Sequence, residues 1–287
     1  MQATAFSPGH ISGFFQPVYY ESFYQTGSRG AGINLSHGVT ATVCIESDSI
    51  QTVEVYVDNK IQVTPVVTNA IKQVLRDSPF HVRIDLYCNL PVSQGFGMSA
   101  AGSLSATYAV ASLIKIPFED AGMAAHRAEI ELKTGLGDVA AEIGGGVEIR
   151  KTPGVPPWGD VIRIPGDWEI VCCTVDKRVS TSDVLSDETV QNKVQLIGKE
   201  CTDRLLQNPS TDQLFALSME FTKRSGLASE KILEVMGAVK PFGKCSMCML
   251  GNSVFAIGDT KKISEVLSSY GTVLQCSVDQ QGVRLVD

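Results

Sequence analysis

The sequence has no surplus of positive charge: 24 Lys and Arg stand against 31 Asp and Glu, a formal net charge of -7. The cations are scattered, and without a basic stripe to displace counterions nucleic acid is excluded as an expected partner. No long uncharged apolar run exists, which excludes a helical membrane span from the expectation. Met1 to Phe15 also lacks a basic stretch followed by an apolar one, so a cytoplasmic location is expected. Repeats, low-complexity tracts and flexible linkers are missing too. The four histidines, at 10, 37, 81 and 126, show no HxxxH or HxH spacing. Of eight cysteines only Cys245 and Cys248 form a CxxC. They sit in a strand-like run, where residues three apart point to opposite faces, and no second pair completes a zinc site. The expectation is inert buried thiols and no protein-built transition-metal centre.

What is present is apolar mass: 44% of 287 residues are hydrophobic, enough for a sizeable core. Alternating or β-branched runs predict strands over 38–46, 52–57 and 81–88, with a proline-initiated helix at 65–76 between the last two. Residues 100–114 are small or apolar on nearly all sides, which predicts a buried helix. Helices are expected at 118–133 and 138–142, then a strand at 147–150. The prolines and glycines of 152–159 mark a boundary, dividing the chain into 1–155 and 156–287. Beyond it come a strand at 169–175, helices at 182–207, 211–223 and 228–236, a strand pair within 246–257, a helix at 261–269, and strands near 273–277 and 282–286. Alternation without regular βαβ spacing predicts an α+β fold of two packed halves.

The strongest local signal is Pro91-Val92-Ser93-Gln94-Gly95-Phe96-Gly97-Met98-Ser99-Ala100, after a strand and opening a helix. Glycines let backbone N–H groups approach a ligand, and a helix N-terminus adds unpaired donors, so the segment suits phosphates. A first-turn hydroxyl, Ser99 or Ser103, could reach a Mg²⁺ shared with them. A tight turn with close packing is the plain alternative. The dinucleotide fingerprint fails, because a second helix starts at 117–120 where a strand ending in an acid is required. A Walker A loop fails as well, since Gly243-Lys244 is followed by Cys245.

The loop resembles the ATP-binding motif of the GHMP kinases, Pro-x-x-x-Gly-Leu-Gly-Ser-Ser-Ala. Two more elements occur in the family's order: Ser7-Pro8-Gly9-His10 resembles its N-terminal segment beside the acceptor, and Gly135-Leu136-Gly137-Asp138 resembles the turn with its catalytic aspartate. The third motif, at 244–251, is a poor match. The wording of these segments, with Gly27-Ser28-Arg29-Gly30-Ala31-Gly32, is similar to the archaeal branch that phosphorylates pantoate. Phe15-Gln16-Pro17 departs from mevalonate-type members, and Met98 replaces the first serine of the pair.

The resemblance implies a two-domain fold, an N-terminal half like domain 2 of ribosomal protein S5 and a ferredoxin-like C-terminal half, and usually a homodimer. It implies ATP with Mg²⁺ and phosphoryl transfer to pantoate. Pro91, Gly95, Phe96, Gly97, Met98, Ser99 and Ala100 would hold the nucleotide, and Ser99 with Glu129 the metal, Glu131 being the alternative. A helical acid paired with Lys133 or Arg127 explains either glutamate equally well. Asp138 would orient the acceptor hydroxyl or take its proton, where an N-cap is the plain explanation. His10 would stand near that hydroxyl, as neutral imidazole or as cation, or else be a buried structural histidine. Pantoate's carboxylate calls for a cation or clustered N–H groups, for which Ser28 and Arg29 are candidates and Arg150 and Arg178 outside candidates.

Overall fold

The computed structural model describes residues 1–176 and 188–286. The chain opens with two long antiparallel strands, β1 Gln2–Val18 and β2 Gly27–Ser47, paired along nearly their whole length. The sequence reading caught only the second half of β2. Pro8, Gly9 and Gly13 weaken β1 as a strand, since proline and glycine favour bulges over regular ladders. The register indeed shifts between Pro8 and Gly9 and between Ser12 and Phe14.

The remaining elements of the first half are β3 Thr52–Val57, β4 Lys60–Ile61, α1 Pro65–Leu75, β5 Phe80–Cys88, α2 Met98–Ile114, α3 Phe118–Leu132, α4 Asp138–Glu142 and β6 Val147–Thr152. Nearly all sides of α2 are buried, as its small residues require. β7 Asp160–Ile164 pairs with β6, and β12 Arg284–Val286 pairs with β1. The large sheet runs β12-β1-β2-β5-β3-β4, with β6 on the first half of β2 and β7 on β6. It therefore extends past the boundary expected after Val155.

The second sheet is antiparallel, β11-β8-β10-β9, from β8 Glu169–Thr174, β9 Gly243–Cys248, β10 Ser253–Gly258 and β11 Thr272–Ser277. Its helices are α5 Glu188–Gln207, α6 Thr211–Ser225, α7 Glu230–Val239 and α8 Thr260–Leu267. Strand, helices, two strands, helix, strand, with sheet order fourth-first-third-second, is the ferredoxin-like arrangement. One apolar core spans both sheets: Phe14 and Phe15 of β1 stand against Phe221 of α6 at centroid distances of 6.4 and 5.8 Å. The start of the helix expected at 182–207, and Arg178, lie outside the described residues.

Candidate active site

A cleft of 1240 Å³ opens where α2 begins, lined by Gly95–Ala100, Ser12, Ser28, Glu129, Asp138 and the turn at Met249 and Leu250 among others. Gly97 shapes its rim. Its φ of 63° belongs to the left-handed region, and a Cβ there would lie 2.6 Å from the Glu142 carboxyl, so only glycine fits. No side chain caps α2, which leaves the N–H groups of its first turn to an anion. The turn between β9 and β10 backs the loop. There Met249 N–H donates to the Ser12 carbonyl at 3.1 Å, and Ser253 Oγ to Gln94 Oε1 at 3.4 Å.

Behind the cleft lies a chain of ionisable groups. Glu148 and Arg150, two apart on β6, share a face, and they face His10 and Ser12 of β1 across β2. The strand between them is glycine at this point. A Cβ on Gly32 would fall 2.3 Å from His10 Nε2, so only a bare backbone lets the two outer strands' side chains meet. His10 Nδ1 lies 2.7 Å from Asp138 Oδ1 and Nε2 lies 3.0 Å from Glu148 Oε1. Arg150 Nη1 donates to Glu148 Oε1, and Nη2 to Ser12 Oγ at 3.0 Å. His10, Glu148 and Arg150 are buried, while the Asp138 side chain keeps 29% exposure. Glu142, fully buried, accepts from Ser7 Oγ at 3.2 Å.

These environments separate the carboxyls. Burial alone would raise Asp138, but the bond from His10 and the charges of His10 and Arg150 outweigh it and hold the group below the usual range. Burial pushes Glu142 well above that range, and the charges of Asp138 and Glu129 add to the effect. Burial likewise pushes Glu129 up to about 7, against the Ser99 hydroxyl that donates to its Oε1 at 2.6 Å. Glu129 has Ser99, Thr134 and the Asp138 carboxylate around it, and no cation among the described residues. A buried carboxylate and a hydroxyl beside a phosphate-binding turn, lacking a counter-charge, fit a Mg²⁺ that keeps most of its ligands as water and phosphate oxygens. Glu131, the alternative, instead pairs with Arg127 at 2.7 Å.

The structure thus brings Gly95–Ala100, Ser28, Glu129 and Asp138 to one cleft. Pro91 opens the turn but does not line the cleft. His10 lies behind Asp138 with no exposure of its own, so it reaches the cleft through that carboxylate. The segment 27–32 is strand, and neighbours in a strand point to opposite faces. Ser28 therefore lines the cleft, while Arg29 turns away to Asp203 at 2.7 Å and the Lys151 carbonyl at 2.9 Å. Ser103 bonds the Ala100 carbonyl within its own helix. Ser12, Glu142 and Glu148 had no place in the sequence reading. The available signal for Glu148 was Val147-Glu148-Ile149-Arg150, opposite charges at alternate positions of an apolar strand.

The family described as GHMP kinases N terminal domain matches residues 65–146. Over 287 residues the chain is 35% identical to a pantoate kinase of Methanospirillum hungatei, covering 98% of this chain and 95% of that one. A pantoate kinase of Methanocaldococcus jannaschii is 30% identical over 275 residues, 95% of this chain and 99% of that one. A solved structure described as a phosphotransferase related to the CoA biosynthesis pathway superposes with a TM-score of 0.92 at 26% identity, covering 100% and 99% of the two chains.

Proposed function

The chain belongs to the pantoate kinases of the GHMP kinase family, and from that premise we propose how its residues move the γ-phosphate of ATP to the hydroxyl of pantoate, giving 4-phosphopantoate for coenzyme A synthesis. The observation that carries the reading is the position of Asp138. It is a carboxylate held ionised by His10 and exposed to the cleft beside the uncapped start of α2.

Phosphoryl transfer asks for positioned phosphates, neutralised charge and an aligned hydroxyl. The N–H groups of Gly95 to Ala100 cradle the β- and γ-phosphates. Asp138 accepts a hydrogen bond from the acceptor hydroxyl and takes its proton as the bond to phosphorus forms. Ser28 and Ser12 line the acceptor end for pantoate's carboxylate, and Arg150, buried and paired with Glu148, holds the Ser12 hydroxyl in place through its Nη2. Ser99 and Glu129 would hold Mg²⁺, whose charge offsets that of the transferring phosphoryl group.

A homodimer in the cytoplasm belongs to the same reading through the family resemblance. Among the described residues no helix is long and apolar enough to cross a membrane. The test is ADP release over a panel of pantoate, mevalonate, homoserine and glycerate. Pantoate is expected to be the best acceptor, and faster turnover of any other compound overturns the assignment of substrate.

A further inference from the structure

We propose that Glu148 is a positioning residue that keeps His10 an imidazolium, so that Asp138 meets the acceptor hydroxyl as a carboxylate tied to a fixed cation. The inference rests on the reading of Asp138 given above, but its main evidence is independent of the substrate. Each ring nitrogen of His10 faces a carboxylate oxygen, at 2.7 Å and 3.0 Å. Arg150 Nη1 also stands 3.4 Å from Nε2, farther than the Glu148 oxygen to which Nη1 donates. A neutral imidazole has one N–H, so its other nitrogen would set a lone pair against a carboxylate lone pair; only the doubly protonated ring satisfies both carboxylate contacts.

The groups around the ring agree with this. From β6 come Glu148 and Arg150; from α4 come Asp138 and, beyond Gly97, Glu142; from α3 Glu129 acts on Asp138. The Phe96 carbonyl accepts from the His10 backbone N–H at 2.9 Å, which fixes the residue's place against the phosphate turn. Burial pushes Glu142 well above the carboxylate range, and Arg163 of β7, the cross-strand partner of Glu148, adds a further cation on that side. Burial works against the charged ring, yet the bonds and charges of Asp138 and Glu148 outweigh it and raise His10 above its ordinary value. His10 therefore serves as a fixed charge and not as a proton acceptor, because it has no free nitrogen. Glu148 does not reach the cleft lining; its side chain meets His10 and Arg150 and acts on the cleft through them, and the His10 route is the one a change in ring protonation reports.

A folded-state value raised above the ordinary one is a contribution present at low pH and lost as pH rises through that value. His10 deprotonation should thus appear on the alkaline limb of the kcat–pH profile. In E148Q the amide keeps the size but not the charge, so that limb should move down by about one pH unit or more, while E148D restores it. A merely structural role would lower Tm and leave the limb in place. The direct readout is ¹⁵N NMR of ring-labelled His10 in the full chain at about pH 7.5, one unit above its ordinary value. The wild type is expected to show two protonated nitrogens, and E148Q one. A neutral His10 in the wild type, or an E148Q limb superimposed on the wild-type limb, overturns the proposal. Should E148Q fail to fold, Glu148→Ala with added formate or acetate takes its place, the second ring proton being lost without the anion and regained with it; a neutral His10 in the wild type overturns the proposal in either case. Because the wild-type spectrum needs no acceptor, its failure is distinct from failure of the acceptor panel.

Discussion

Where β1 and β6 flank the glycines of β2, the large sheet buries His10, Glu148 and Arg150, with Glu142 of α4 beside them, whereas the small sheet fills its interior with Cys172, Cys173, Cys245, Cys248 and Cys276. Both regions are equally dry, and dryness does different things to each. Buried charges cost several kcal/mol per ion unless paired, so a cluster of them persists only where geometry and partners are fixed. Buried thiols cost nothing of the kind. Burial pushes the Cys248 thiol well above its usual value and Cys173 up to about 11; for Cys172 the bond with Cys276 acts first and burial second. Cys172, Cys173 and Cys248 are therefore thiols at neutral pH, and all eight cysteines are free. The reactive half of the molecule is the one that buries charge.

The comparison breaks most readily at Arg150. Arg150→Met removes the guanidinium from Glu148 and leaves a buried carboxylate sharing one cation with Asp138, which should cost about 3–5 kcal/mol of stability. Urea unfolding measures it, and a loss under about 1 kcal/mol would mean that the cluster is not a balanced set of charges. A smaller effect is expected at Ser99. Ser99→Ala should weaken use of Mg²⁺ by about 10- to 100-fold with the fold intact, read as turnover at limiting Mg²⁺. Wild-type behaviour there would remove Ser99 as a ligand and turn attention to Ser103. The smallest effect belongs to the thiol side: Cys172→Ala should cost about 1–2 kcal/mol of stability, measured by urea unfolding, and leave turnover unchanged. A loss of activity without a loss of stability would contradict its inertness.

How much of this was legible in the sequence follows the same division. The periodic elements were readable, from 52–57 and 65–75 to 211–225, because each carries its own apolar pattern. The phosphate turn was readable because glycines before a small-residue helix mark a local conformation. β1 was not, because Pro8, Gly9 and Gly13 interrupt its apolar pattern and its register shifts beside Pro8 and Ser12 are set by pairing with β2. Arg29 is a candidate in the sequence because pantoate's carboxylate calls for a cation, yet strand alternation turns it to Asp203. Glu148 and Glu142 escaped because their role depends on groups 138 and 135 residues away in sequence, His10 and Ser7, and no local pattern reports such a meeting.

The central claim is that the charged cluster exists to present Asp138 to the acceptor, and one variant tests it most directly. Asp138→Asn keeps the size and can still accept from His10 through its amide oxygen, but it cannot take a proton. The N-cap of α4 is Gly137 and Asp138 is its first residue, with no side-chain cap bond, so an aspartate that only opens the helix would be replaced by asparagine with turnover nearly kept. The measurement is kcat on pantoate together with Tm and ATP affinity on the same preparation. The account predicts a fall in kcat of about 10²- to 10⁴-fold with ATP affinity little changed, while Tm falls because the buried His10 ring loses the carboxylate that faces it. Near-normal turnover, with or without a modest drop in Tm, would contradict it.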